Sequence, residues 1–241
     1  MSIELRDVEI RVGGKLLKPI TLKNVNFRVE PKQRVALLCS EPAALADLVR
    51  VTVGSRPPNS GRVYRKARLS WPIPDTSFCQ KHLSCATNAR FIARLYEIEE
   101  ASFVDQVIEM AEMGDLTRVP IAKCPKAAVS RFALAVALCV PFDTYLFTNP
   151  VVGDKAARDK FQQKVEEVGA THGLIVATAN AKVAQLHCDR AFLIDGRTTH
   201  YYDDIEAAAA HLARLTKPAR QEDEEDAEFA GEEEERVFDD F

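Results

Sequence analysis

No run in the 241 residues approaches the ~18 consecutive apolar residues that a membrane-spanning helix needs. The start, MSIELRDVEI, reads as a strand and not as a signal peptide, so the expected compartment is the cytoplasm. The six cysteines, Cys39, Cys79, Cys85, Cys124, Cys139 and Cys188, form no C-x-x-C pair and have no histidines at zinc-ligand spacing. Neither a zinc site nor a disulfide framework is indicated. Cys39 and Cys124 have no histidine in sequence range to activate a thiol nucleophile, and they read as packing residues. Aromatics make up 7% of the chain. The basic cluster Arg62, Arg65, Lys66 and Arg68 has only Tyr64 interleaved and no nucleic-acid motif around it, so it reads as a solvated strand edge and nucleic acid is not an expected partner.

Glycine is missing where it would matter most. VALLCSEPAALADLVRVTVG, from Val35 to Gly54, reads as a buried strand, a turn and a helix, with no glycine before its last residue. A phosphate loop at such a turn needs G-x-x-x-x-G-K-[ST]: glycines let backbone amides close on phosphates, the lysine neutralises charge, and the hydroxyl holds Mg²⁺. Those positions carry Cys39, Ala44, Leu45 and Ala46, followed by Asp47. A plain strand-turn-helix of an α/β core explains the stretch, with Ser40 as N-cap and Glu41 and Pro42 in the first turn. A triphosphate would then meet Glu41 and Asp47, and like unit charges about 5 Å apart repel by roughly 3 kcal/mol each at an effective dielectric near 20.

What is present is a core. Hydrophobic residues are 46% of the chain, enough for one domain with a lobe or a tail. Alternating runs at Ile3 to Val12 and Ile20 to Val29, separated by Gly13 and Gly14, suggest an antiparallel β-lobe. Near-continuous apolar runs at Val35 to Leu38, Thr144 to Phe147, Leu174 to Ala177 and Ala191 to Ile194 fit parallel strands buried on both faces. A helical insert is expected from about Trp71 to Val140, with Phe91, Leu95, Phe103, Val107, Met110 and Met113 at helical spacing as its core. Ala127 to Cys139 is apolar nearly all round, as for a buried helix. After Lys217 the composition changes. Gln221 to Phe241 holds twelve acids and one arginine, a charge of −11, so with −4 overall the first 220 residues carry +7. Such a segment is expected to be disordered. With Phe229, Phe238 and Phe241 spaced along it, it is either a solubilising tail or an acidic-aromatic segment that docks on a basic surface.

From about Ile3 to Leu215 the chain resembles the ATP-binding subunit of an ABC exporter of the capsular-polysaccharide branch. The resemblance rests on RVALL before the turn, PNSGRV at Pro58 to Val63, LSWP at Leu69 to Pro72 and NARFIARLY at Asn88 to Tyr96. It continues through FDTYLF at Phe142 to Phe147, VVGD at Val151 to Asp154, and GLIVATAN to CDRAFLIDG, all in the family's order. The fold this implies is an α/β P-loop NTPase-like ABC ATPase core over residues 1–217, with an N-terminal antiparallel β-lobe, an inserted helical subdomain at about 71–140, and the acidic segment 218–241.

Residue by residue, the resemblance implies lost chemistry. The Walker B aspartate and the catalytic glutamate fall on Thr148 and Asn149, which can neither support Mg²⁺ nor polarise water. The signature loop falls on CPKAAV, with Pro125, Lys126 and Ala127 at its centre, and the switch histidine falls on Ala179. No aromatic near Val12 could stack on adenine. The Q-loop glutamine, Gln80, and the D-loop pair Gly153 and Asp154 are kept. ATP and Mg²⁺ are therefore not expected as cofactors. In the family the helical lobe and Q-loop region dock on a membrane permease, which implies partner contacts through Trp71, Gln80, Asn88, Arg90, Arg94 and Tyr96, and attachment to the inner face of the cytoplasmic membrane. The expected role is a pseudo-ATPase that pairs with a permease or a competent ATPase subunit, as a homo- or heterodimer. Its alternatives are a working exporter ATPase and a scaffold or regulator outside transport.

Overall fold

The computed structural model describes residues 2–12, 20–148 and 155–216. Two strands, β1 (Ile3–Val12) and β2 (Ile20–Val29), pair antiparallel, and β3 (Arg34–Leu38) leads into α1 (Pro42–Val53). β4 (Ser60–Arg65) then pairs antiparallel with the other side of β1, closing a three-stranded sheet in the order β2-β1-β4. β5 (Leu69–Ile73) starts a second sheet and is followed by α2 (Cys85–Leu95), α3 (Glu100–Met110), two short 3-10 turns and α4 (Lys126–Cys139). The chain returns to that sheet in β6 (Thr144–Phe147), then runs through α5 (Lys155–Thr171), β7 (Gly173–Thr178), α6 (Ala181–His187), β8 (Arg190–Ile194), β9 (Thr199–Tyr202) and α7 (Ile205–Thr216). The larger sheet has the order β5-β6-β7-β3-β8-β9, parallel except for β9.

The period-2 alternation of strand side chains divides the core in two. On one face Val35, Leu37, Leu146, Ile175, Ala177 and Ile194 pack with α1 and the three-stranded sheet. On the other Ala36, Leu38, Phe147, Val176 and Leu193 join a core that runs under α4, α5, α6 and α7 and continues into α2 and α3. A strand that serves both cores must be apolar at every position, and this explains the continuous runs in the sequence.

Two expectations change here. The insert begins after Ile73, because Trp71 and Pro72 belong to β5. A proline is tolerated there because β5 is an edge strand. The stripe proposed as insert core is split: Phe103, Val107 and Met113 are buried, whereas Phe91, Leu95 and Met110 are 53%, 61% and 38% exposed. The basic residues Arg62, Arg65, Lys66 and Arg68, on and after the edge strand β4, are exposed as expected, and two of them are engaged. Arg65 donates to the carbonyls of Thr52 (2.7 Å) and Val51 (2.5 Å), capping the end of α1, while the Arg68 guanidinium lies 4.0 Å from Asp143. Gly61, at φ +83°, is required where it stands, since a Cβ there would sit 2.3 Å from the Asp7 carbonyl oxygen.

Asp47 anchors the other end of this region. It is 7% exposed, accepts from Arg50 Nη1 at 2.9 Å and pairs with Arg56, which also donates to the Arg11 carbonyl at 2.8 Å. Burial pushes the carboxyl up, but hydrogen bonds from Arg56 and then Arg50 outweigh it and hold Asp47 below its ordinary value of 3.8. A carboxylate with a depressed folded value stabilises the fold above the unfolded value and loses that contribution as pH falls through the folded one. Asp47→Asn is therefore expected to cost about 1–2 kcal/mol at pH 7. The gap to wild type should close in urea titrations repeated at decreasing pH below 3.8; a gap independent of pH would contradict the assigned pairing.

Candidate functional site

The turn after β3, the start of α1 and the carboxyl ends of β6 and β7 meet at one edge of the parallel sheet, where open α/β folds place their ligands. Their meeting forms a cleft of about 440 Å³ lined by Pro42, Leu45, Ala46, Thr148 and the segment Ala177 to Asn180. None of these lining residues is charged. Leu45 is buried at 8% exposure and Ala44 completely. Thr148 is turned back onto β5, donating through its amide (2.9 Å) and its hydroxyl (3.3 Å) to the Ile73 carbonyl. Thr178 Oγ1 accepts the Asn180 amide at 3.0 Å, and Asn180 Oδ1 accepts the Lys182 amide at 3.0 Å to cap α6, so the polar groups of this wall are engaged locally. Asn149, Gly153 and Asp154 lie outside the described residues, as does Val12's side chain.

The first turn of α1 differs from its expected form. Glu41, not Ser40, is the N-cap, with φ −100° and ψ 107°, and no side chain caps the helix. Asp47 does not face the cleft as a bare charge either, because its carboxylate is held between Arg50 and Arg56; of the two repulsive acids expected near a phosphate, only Glu41 stays exposed. Cys39 is 2% exposed and its Sγ donates to the Glu41 carbonyl at 3.7 Å. Burial pushes its thiol up, which suits packing and not nucleophilic attack.

A second, larger opening of about 950 Å³ lies beside the first, sharing Ala46 and Thr148 with it. Its walls are the outer face of α1 at Val49, Arg50 and Val53, the edge strand at Trp71 and Pro72, the loop at Asp75 and Ser77, and Tyr96. Trp71 heads an aromatic row: its ring centroid is 5.2 Å from Phe78, 5.3 Å from Phe142 and 6.1 Å from Tyr96. Its indole N–H is buried without an acceptor among the described residues.

Of the six residues expected at a partner surface, Trp71 and Tyr96 line this groove. Gln80 is exposed on the loop that leads from it, and its backbone is clamped: the Gln80 amide donates to Asn88 Oδ1 at 2.7 Å, and Asn88 Nδ2 donates to the carbonyls of Gln80 (3.1 Å), Leu83 (3.3 Å) and Ser84 (2.9 Å). Asn88 is thus an interior residue, 1% exposed, and presents nothing to a partner. Arg90 and Arg94 are exposed on α2, and both reach Glu100, Arg94 through two hydrogen bonds of 2.7 and 3.1 Å. Hydrogen bonding from Arg94 holds the Glu100 carboxyl below its ordinary value. The groove residues on α1 carry no signal in the sequence, since their meeting with Trp71 is a product of the tertiary fold.

Comparison with solved structures identifies the architecture. The chain superposes on a structure described as the ATP-binding subunit of an ABC transporter with a TM-score of 0.71 over 92% of this chain and 97% of that one, at 20% identity. A dimeric post-hydrolysis structure of the cassette MJ0796 bound to ADP and Pi gives 0.69 over 83% and 97%, at 16% identity. The fold is that of an ABC ATPase cassette. No family model matches the chain. The chain is also similar in sequence to ATP-binding proteins: the ATP-binding protein BexA of Haemophilus influenzae is 29% identical over 81% of this chain and 91% of its own. The capsule polysaccharide export ATP-binding protein CtrD of Neisseria meningitidis serogroup B is 26% identical over 80% and 90%. The polysialic acid transport ATP-binding protein KpsT of Escherichia coli is 28% identical over 80% and 90%. In this cassette no described helix is long and apolar enough to cross a membrane.

Asn88→Ala tests the clamp on the Gln80 loop. It removes the partner of a backbone amide and one donor from three carbonyls, so a loss of about 1–3 kcal/mol is expected in urea unfolding. Faster hydrogen exchange at the Gln80 amide should accompany it. Unchanged exchange would show that the loop is held by other means.

Proposed function

We propose that this chain is a cassette that serves polysaccharide export by binding a membrane permease or a competent ATPase subunit, and that it does not itself hydrolyse ATP. The observation that carries this reading is the cleft with no charged lining among the described residues, in which Leu45, Ala46, Thr148 and Ala179 hold the places where the family resemblance puts the phosphate lysine, the Mg²⁺ hydroxyl, the metal carboxylate and the switch histidine. A triphosphate and its metal need charge compensation in a poorly solvated site. Here the opposing groups are two aliphatic side chains, a threonine committed to the Ile73 carbonyl, and an alanine. The residues therefore fit ATP and Mg²⁺ poorly, and no step of hydrolysis can be assigned to them.

Docking is a different matter. The groove is an aromatic-walled recess with one arginine and one aspartate on its rim, a composition suited to receiving a segment of another protein. The relatives named for capsule and polysialic acid export supply the transport context. The competing reading is an ATP-hydrolysing exporter subunit, favoured by the ATP-binding function in the names of those same relatives.

The purified protein is expected to show no Mg²⁺-dependent ATP hydrolysis above a blank. Turnover near the ~1 s⁻¹ and above of ordinary enzymes, lost on Gln80→Ala, would establish the competing reading instead. Leu45→Lys alone is expected to leave the protein inactive, because catalytic groups that act as a unit are strongly non-additive.

Ala46→Trp should obstruct the groove from the exposed face of α1 without entering the core. With circular dichroism unchanged, it is expected to abolish co-purification of a membrane permease from the native host. Arg94→Glu should weaken recovery if α2 takes part, at little cost to stability, since an exposed ion pair is worth about 0–1 kcal/mol. Full recovery of permease with Ala46→Trp would remove the groove from the docking surface.

A further inference from the structure

Two long segments of the helical lobe contain no acidic residue: 76–96 and 116–142. The fold brings them side by side. Ile121 and Ala122 donate their amides to the carbonyls of Leu83 and Lys81, each at 3.0 Å, and Ser84 forms a bridge with Pro120. Lys81, His82, Arg118, Lys123 and Lys126 are all exposed around this seam, and Leu83 stands among them at 40% exposure. The described ion pairs include none of these four Lys and Arg side chains. Elsewhere on the cassette basic groups are interleaved with acids, as on β1 and β4, where Arg62 faces Arg6 but Glu4 and Glu9 flank them. Against these four Lys and Arg side chains the flanking chain sets one exposed acid, Asp115 in the turn that carries Arg118, so the face keeps a net positive potential.

The chain carries its own complement to that face. Residues 221–241, outside the described ones, hold twelve acids, one arginine and three phenylalanines. From Lys217, next to the end of α7, to the acidic run at Glu232 is a path of 16 residues. Extended, it spans roughly 50 Å, enough to reach any face of a domain this size.

We propose that the acidic segment 222–241 docks in cis on the basic seam formed by Lys81, His82, Arg118, Lys123 and Lys126. Carboxylates supply the long-range attraction, and a phenylalanine against Leu83 supplies a contact that salt does not screen. In this position the segment covers the loop that opens α4 and the exposed Gln80, so it competes with any partner that approaches the cassette on that side.

The test uses the full chain. Zero-length carbodiimide coupling joins carboxylates to lysine amines already in contact, and mass spectrometry locates the bonds. At low ionic strength the expected products link Glu232 to Glu235 with Lys81, Lys123 or Lys126. In an equal mixture of ¹⁵N-labelled and unlabelled protein, these links should join segments of the same isotope. Yield should fall at least about fivefold between 0.01 M and 1 M salt, as the Debye length shrinks from about 30 Å to about 3 Å. His82→Glu with Arg118→Glu leaves every amine in place and should lower the yield similarly, while Arg62→Glu should not. If the double variant does not fold, the salt series and the site of coupling on wild type decide. Coupling mainly to lysines elsewhere, mixed-isotope products that mark a second copy as the occupant, or yields indifferent to both salt and the double substitution would overturn the proposal.

Discussion

The demand that β3 be buried on both faces governs this molecule. Because Val35 and Leu37 serve one core and Ala36 and Leu38 the other, the strand cannot slip by a residue without exchanging the two sets. Its register with β7 and β8 is thereby fixed, and so is the point at which the chain leaves the sheet. Cys39, Thr148 and Ala179 come together because their strands end at the same edge, whatever side chains those positions carry. The cleft is a property of the sheet; its described lining, from Pro42, Leu45, Ala46, Thr148 and Ala177 to Asn180, is a property of the side chains those positions carry.

That separation explains how the architecture can match nucleotide-binding cassettes while the described residues that line the cleft are uncharged. The cores constrain volume and alternation, and those constraints are met in full. The cleft-facing positions of α1 add little to packing beyond Ala44 and Leu45, which are themselves drawn into the interior. The region around α1 is held by the protein's own charged groups: Asp47 between two arginines, and Arg65 on the carbonyls of the helix's last turn.

The sequence was most legible where burial is two-sided. The four runs read as parallel strands are β3, β6, β7 and β8, within a residue of their ends. β5 escaped because Pro72 breaks the pattern and because an edge strand needs less apolar continuity than a central one. Helical periodicity marked the region as a helical insert but could not say which apolar residues face inward, and Phe91, Leu95 and Met110 turned outward. At the candidate site, the uncharged wall formed by Leu45 and Ala46 was visible. The neutralisation of Asp47 was not, because Arg56 reaches it only after the chain has turned at Gly54, the left-handed residue that ends α1. The groove and the basic seam were equally hidden, since each joins segments far apart in the chain.

Asn88 has a mechanical consequence. With its amide bonded to the backbone at Gln80, Leu83 and Ser84, one buried side chain ties the loop after the groove to the first turn of α2. Displacing that loop alone would strain four hydrogen bonds at once, so the loop and the start of the helix are coupled through a single residue.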